Sequence, residues 1–275
     1  MCELSIHIKL VNLLYLPHTQ KKVGDMEFAK DKLEWLEFDL LKSYPLVAHG
    51  VFLRHGGTSE GNFSSLNSGD AVGDHPDNVK VNRELIREVI SVPHIAFAKQ
   101  EHNALVFEVT AANRGKIPPA DAIFTRVKDC ALAVTHADCQ AAIIYDPKQE
   151  VIAVVHAGYK GLAQDIYGKT IEALVRDAKC HPQDLLVCIS PSLGPCHSEF
   201  INYKTELPES FWEHQNKSHY FDLWVIAEKQ LLQAGVHKNK IEMPKLCTYC
   251  ESKDFFSHRR EKKTGRHATV AAIKS

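Results

Sequence analysis

Apolar positions along the chain fall into short blocks separated by polar, Gly- and Pro-bearing stretches. "CALAVTHADC" (130–139), "QAAIIYD" (140–146) and "VIAVVH" (151–156) are dense in β-branched and small apolar residues and predict strands. "HIAFAKQEH" (94–102), "ALVFEV" (104–109), "DAIFTR" (121–126) and "LLVCIS" (185–190) predict four more. Helical spacing predicts a helix over 77–90 with Asp77 as its N-cap. A second helix is predicted over 162–179, with Leu162, Ile166, Ala173 and Leu174 on one face, and a third near 221–234. "AHGVFLRHGGTSEGNFSSLNSGD" (48–70) predicts a short strand entering a long loop rich in Gly, Ser and Asn. Residues 1–35 read as a charged, amphipathic lead-in, and 36–275 as the domain. Hairpin-forming strands mixed with helices predict an α+β fold rather than a doubly wound parallel sheet. No G-x-G-x-x-G follows a strand, which excludes a dinucleotide-binding half.

Composition changes this picture little. The chain of 275 residues is 44% hydrophobic and 24% charged, enough to bury a sizeable core. Its formal net charge of −1 argues against general electrostatic binding to nucleic acid or to a membrane surface. The opening "MCELSIHIKLVNLLYLP" carries Glu3 and Lys9 and lacks a basic leader region, and no run reaches the length of a transmembrane helix. Eight cysteines scattered over so long a chain read as thiols rather than a disulfide framework, and cytoplasm is the expected compartment.

The chemistry gathers where strand 151–156 ends on His156 before the glycine turn "AGYKG". Between the two preceding strands lies "DPKQE", a turn signal with Pro147 well placed. A hairpin centred between Pro147 and Lys148 sets Cys139 opposite His156, with Cβ atoms roughly 4.5–5.5 Å apart. Three readings of that pair stand: two residues merely packed, a thiolate–imidazolium couple for nucleophilic catalysis, or two ligands of one metal. A catalytic zinc needs a third protein ligand, which spacing does not provide. Cys247 and Cys250 form one C-x-x-C; with no second such pair, redox chemistry or plain burial is the expectation there.

"RHGGTSEGNFSSLNSG", "KQEH", "HADCQAAIIYD", "VVHAGYKG", "SPSLGPCHSEF" and "CTYC…FFSHRREKKTGRHA" occur in the order seen in one family. The chain thereby resembles, over roughly 38–275, the polyphenol oxidoreductase or laccase-domain family of zinc-dependent purine nucleoside phosphorylases with adenosine deaminase activity. The resemblance implies a single layered α/β/β/α domain with mixed β-sheets. It implies zinc ligands at His102, Cys139 and His156, with a purine nucleoside and phosphate as small-molecule partners. Three positions depart from the family pattern: Asn103 and Ser190 stand where glycine is usual, and Tyr159 where tryptophan is.

A His₂Cys zinc with one open position lowers the pKa of bound water towards ~7. Asp138, beside Cys139, is the candidate acid/base, provided the strand bends there; the competing reading is a loop anchor. Arg54, before "HGG", is the candidate fork for phosphate, with Lys160 in the "GYKG" turn as a second anion contact. Asn67 is a candidate substrate contact or a shaper of its own loop. The resemblance places Arg259 and Arg266 near the site, while Arg260, Lys262 and Lys263 read as a solvated face. Copper(II) outcompetes zinc at most such ligand sets, so Cu(2+) at the Cys–His pair, giving weak polyphenol oxidation, is one rival. A full laccase is disfavoured, because sixteen histidines include no H-x-H. A metal-free Cys/His hydrolase is the other rival.

Overall fold

Alternation along Gln140–Asp146 shows how the layers arise. Ala141, Ile143 and Tyr145 point into one apolar cluster, and Ala142 and Ile144 into another, so both faces of this strand are buried. The computed structural model describes residues 33–275, and the lead-in read over 1–35 lies almost wholly outside the described residues. In chain order the elements are β1 (Trp35–Leu36), β2 (Val47–Phe52), α1 (Pro76–Ile90), β3 (His94–Phe97), β4 (Val106–Glu108), β5 (Ala122–Thr125) and β6 (Cys130–His136). They continue as β7 (Gln140–Asp146), β8 (Val151–Ala157), α2 (Tyr159–Ala163), α3 (Ile166–Ala178), β9 (Leu186–Ile189) and α4 (Tyr203–Glu206). The chain closes with β10 (Gln215–Lys217), β11 (Tyr220–Phe221), α5 (Leu223–Gln233), β12 (Ile241–Glu242), α6 (His258–Glu261) and β13 (His267–Ile273).

Two mixed sheets stack face to face. One runs β1-β2-β13-β6-β3 and the other β12-β9-β7-β8-β5-β4, each combining antiparallel and parallel pairs. Leu132, Val134, Val51 and Ala271 of the first meet Ile123, Ile143, Ile152 and Val154 of the second in the inter-sheet core. On the outer face of the first sheet, Ala131, Ala133, Ala268 and Ala272 are small enough to seat Leu85, Ile86 and Ile90 of α1. On the outer face of the second, Ala142, Ile144 and Val155 pack under Ile171 and Leu174 of α3 and Ala227 and Leu231 of α5. The result is the expected α/β/β/α layering in a single α+β domain. No helix among the described residues is long and apolar enough to cross a membrane.

Three local expectations are corrected. Helix α1 begins one residue early: His75 accepts the Asp77 N–H at 3.3 Å and Pro76 takes the first helical position, so Asp77 lies inside the first turn. The single helix expected over 162–179 is two, α2 and α3, separated where Asp165 (φ 58°) caps α3 by accepting from Gly168 N–H. In the β7–β8 hairpin the register pairs Ala141 with His156, not Cys139 with His156. The cause is an Asx turn: the Asp146 carboxylate accepts the N–H groups of Lys148 and Gln149 at 2.8 and 3.1 Å, so the strand runs on to Asp146 and the reversal comes later. The slip moves the partner by two residues, and an even slip keeps the same face.

Candidate active site

Cys139 sits just before β7, after a reversal at Asp138 (φ 81°) that ends the strand alternation of β6. His156 is the penultimate residue of β8, all of which is buried, and His102 (φ 57°) rides the loop after β3. Their ligand atoms all lie within 4.8 Å of one another, and the two imidazoles meet edge to face with centroids 4.8 Å apart. The three expected ligands therefore converge, although the hairpin register that first suggested the pair is wrong.

Asp121, absent from the expected site residues, holds the arrangement together. It is fully buried at the head of β5. One carboxylate oxygen accepts His156 Nδ1 at 2.8 Å and the His102 N–H at 3.0 Å, and the other accepts the N–H groups of Glu101 and Asn103, each at 3.0 Å. One side chain thus orients one ligand imidazole and pins the loop that carries the other. With Nδ1 engaged, His156 turns Nε2 towards Cys139. Burial works against ionising Asp121, but the hydrogen bonds from His156, Asn103 and Glu101 outweigh it and hold its pKa below the usual carboxylate range.

Burial likewise opposes a thiolate at Cys139. The charge of His156 and hydrogen bonds from His102 and His156 overcome it and bring the thiol down to about 6. Burial also opposes charge on His156, yet the Cys139 charge and the Asp121 hydrogen bond carry it up to about 9. Two imidazole nitrogens and an anionic sulfur facing one point are the donor set of a three-ligand zinc or copper centre. A Cys–His dyad has no use for His102.

Space for the cluster comes from Gly158. A Cβ there would lie 3.0 Å from His102 Cδ2 and 3.1 Å from Cys139 Sγ. Its φ of −75° is ordinary, so the requirement is steric rather than conformational. Gly158→Ala is expected to weaken metal retention about 10- to 100-fold, the scale of other disturbances just outside a ligand set. Competition titration against a chromogenic chelator reads this, and an unchanged affinity would show that the ligands do not need the backbone so close.

The remaining candidates separate into those at the site and those that build its walls. Arg266 lies within electrostatic reach of the cluster: burial lowers its pKa, while the charges of Cys139 and Asp138 draw it back up. Its Nη1 binds the carbonyls of Thr264 and Gly265, leaving the other edge of the fork open among the described residues. Gly69 makes room for its stem, since a Cβ there would lie 2.6 Å from Arg266 Cγ. Asn67 is fully buried and every hydrogen-bonding position of its amide is used: Nδ2 donates to Gly69 O and Asp74, and Oδ1 accepts Gly69 N–H and Arg266 N–H. It shapes the loop and seats Arg266, and no donor or acceptor is left for a substrate.

Asp138 accepts the Thr248 hydroxyl at 2.7 Å on one oxygen and the Arg259 N–H at 2.5 Å on the other. The bend required for its catalytic role is present, but the carboxylate is occupied as an anchor for two loops. The Arg259 guanidinium binds Glu199 O at 2.8 Å and lies over Phe200, which packs on Tyr159. Arg54, the candidate phosphate fork, gives Nε to Ser64 O and Nη1 to Ser252 O and Glu261 and stacks over Phe256, so among the described residues only Nη2 has no hydrogen-bond partner to keep it from an anion. Lys160 is exposed on α2, a helix of five residues, too short to present an anion-binding N-terminus. Arg260 is not a solvated charge. It is half-buried and donates to the carbonyls of Thr248, Tyr249 and Phe255. Lys262 and Lys263 are exposed, as expected.

The sequence model of the family described as multi-copper polyphenol oxidoreductase laccase matches residues 48–274. A Bacteroides thetaiotaomicron protein named purine nucleoside phosphorylase is 30% identical over 254 residues, covering 86% of this chain and 94% of its own length. Purine nucleoside phosphorylase YlmD of Geobacillus stearothermophilus is 32% identical over 234 residues, covering 78% and 85%. The crystal structure of YlmD from that organism superposes with a TM-score of 0.80 at 29% identity, covering 88% of this chain and 96% of the other. The Bacillus licheniformis protein YfiH superposes with a TM-score of 0.81 at 27% identity, covering 88% and 97%.

Proposed function

Since the chain belongs to the multi-copper polyphenol oxidoreductase laccase family, we propose that it is a metal-dependent purine nucleoside phosphorylase of the kind its relatives are named for. The observation that carries this reading is the convergence of His102, Cys139 and His156, oriented by Asp121, with the Arg266 cation within electrostatic reach of Cys139. Phosphorolysis breaks the bond between ribose C1′ and the purine nitrogen, joins a phosphate oxygen to C1′, and releases the base with a proton. A divalent cation in the site, zinc by preference, supplies a Lewis acid.

The chain's own residues do the rest. The open edge of Arg266 offers a bidentate contact to phosphate. Tyr159, next to Gly158 and packed edge to face on the buried Phe200 at 5.2 Å, offers an aromatic face for the purine ring. Asp138, as a positioning residue, ties the loops of Thr248 and Arg259 to the ligand-bearing turn. A laccase-type copper cluster fits less well. Among the described residues, the three groups of converging metal donors hold at most two imidazoles each.

The test is metal removal. The purified protein is expected to release hypoxanthine from inosine only when phosphate is present, to lose this on dialysis against a strong chelator, and to regain it with zinc. Ammonia release from adenosine without phosphate checks the deaminase activity implied by the resemblance. Base release that ignores both phosphate and chelator would point to the metal-free Cys139–His156 hydrolase instead.

A further inference from the structure

We propose a second metal site, a closed structural zinc held by Cys196, His197, Cys247 and Cys250. The C-x-x-C of Cys247 and Cys250 lacks a partner pair in sequence, but the fold supplies one. Loop 192–197, which follows β9, runs beside the segment after β12: Ser192 and Cys247 form a parallel bridge, with Ser192 N–H bound to Leu246 O and Thr248 N–H to Ser192 O, each at 3.1 Å. This brings Cys196 and His197 onto the C-x-x-C turn, and the four donor atoms all lie within 4.8 Å of one another.

The distances match one cation at the centre. Zinc bonds of ~2.3 Å to sulfur and ~2.0–2.1 Å to nitrogen, at tetrahedral angles, give edges of about 3.8 Å between sulfurs and about 3.5 Å between sulfur and nitrogen. Cys196 Sγ and Cys250 Sγ are 3.7 Å apart. His197 Nδ1 is 3.2 Å from the sulfur of Cys196, 3.5 Å from that of Cys250 and 3.8 Å from that of Cys247. A disulfide needs its sulfurs at about 2.05 Å, so the Cys196–Cys250 spacing fits a shared ligand shell and not a bond. A single imidazole nitrogen also has no use for three thiols as hydrogen-bond partners.

The surroundings are built for the cluster. The Gly194 N–H donates to Cys247 Sγ at 3.3 Å, the hydrogen bond from backbone that stabilises a thiolate in such sites. The C-x-x-C turn closes with the N–H groups of Cys250 and Glu251 on Cys247 O, each at 3.0 Å. The His197 ring is stacked on Tyr249, with centroids 3.8 Å apart and planes 14° from parallel, which fixes its direction. Four protein donors leave no open position, in contrast with the three at His102, Cys139 and His156; the first arrangement holds structure and the second admits a reactant. What it would hold is relevant: Thr248, inside the C-x-x-C, donates to Asp138, the neighbour of Cys139.

Metal content by plasma mass spectrometry, on full-length protein supplied with zinc and dialysed free of loose ion, separates the two sites. Wild type is expected to hold two equivalents, Cys250→Ser one, Cys139→Ser one, and the double variant none. Cys196 and Cys250 are exposed, so serine there does not open the apolar core, and Cys196→Ser serves as the second variant. Cobalt loading is expected to give an intense thiolate-to-metal absorption that survives Cys139→Ser and fades in Cys250→Ser. A wild-type equivalent that Cys139→Ser loses and Cys250→Ser keeps with no second ion, two retained in Cys250→Ser and Cys196→Ser, or an intact mass showing a Cys196–Cys250 disulfide would each overturn the assignment. The count does not depend on phosphorolysis, so the site stands or falls apart from the proposed activity.

Discussion

Cys139→Ser is expected to abolish phosphorolysis by a protein that otherwise stays folded. Serine is close to isosteric, but its hydroxyl remains protonated where the thiol is drawn down to about 6, so the anionic donor is lost. Two neutral imidazoles then remain to hold the metal. A Lewis acid contributes several kcal/mol to such a reaction, so with about 4 kcal/mol removed the rate falls roughly 10³-fold. The fold is expected to survive because Cys139 is not part of the apolar core and precedes β7 rather than lying within the ladder. Melting curves of wild type and variant in chelator should therefore coincide while their activities with zinc differ. Retention of full activity by metal-free Cys139→Ser would falsify the metal mechanism, and loss of activity without loss of metal would return the thiolate to the role of nucleophile.

Asp121→Asn is expected to damage both the metal site and the fold, despite changing one atom. The carboxylate accepts four N–H groups, two on each oxygen. An amide has only one oxygen, so in either orientation its NH₂ faces two donors. Facing Oδ1 it opposes His156 and the His102 N–H; facing Oδ2 it opposes the N–H groups of Glu101 and Asn103. Two buried N–H groups left without acceptors cost about 1–3 kcal/mol each. A total near 3 kcal/mol lowers the melting temperature of a chain this size by about 6–12 °C. Metal affinity is expected to fall about 10- to 100-fold as the His156 ring loses its tautomer and direction. Calorimetric melting and metal titration measure the two effects separately. If affinity falls while the melt is unchanged, the backbone contacts are dispensable; if neither moves, Asp121 does not orient the ligands.

The extent to which these features are readable from residues alone follows the range of the forces involved. Apolar, β-branched runs are local patterns, and β6, β7, β8 and β9 stand close to where such runs lie. Of the candidate ligands, spacing suggests Cys139 and His156 as a pair, and only the motifs that carry the family resemblance supply His102. Register escaped the same reading, since one Asx turn at Asp146 outweighs a proline signal in the loop. The even slip kept the face, and so the ligand pair survived an incorrect ladder.

Asp121 resembles any acid opening a strand until the loop 101–103 and His156 are folded around it. Arg54 and Arg266 are equally cationic in sequence, and only packing ties one to Ser64, Ser252 and Glu261 and brings the other within electrostatic reach of Cys139. Likewise the C-x-x-C at 247–250 gains Cys196 and His197 only when loop 192–197 lies alongside it. Residue identity and short-range periodicity thus settled the layers and the donor types. Which donors share a point in space depended on contacts between segments far apart in the chain, and those exist only once both sheets are stacked.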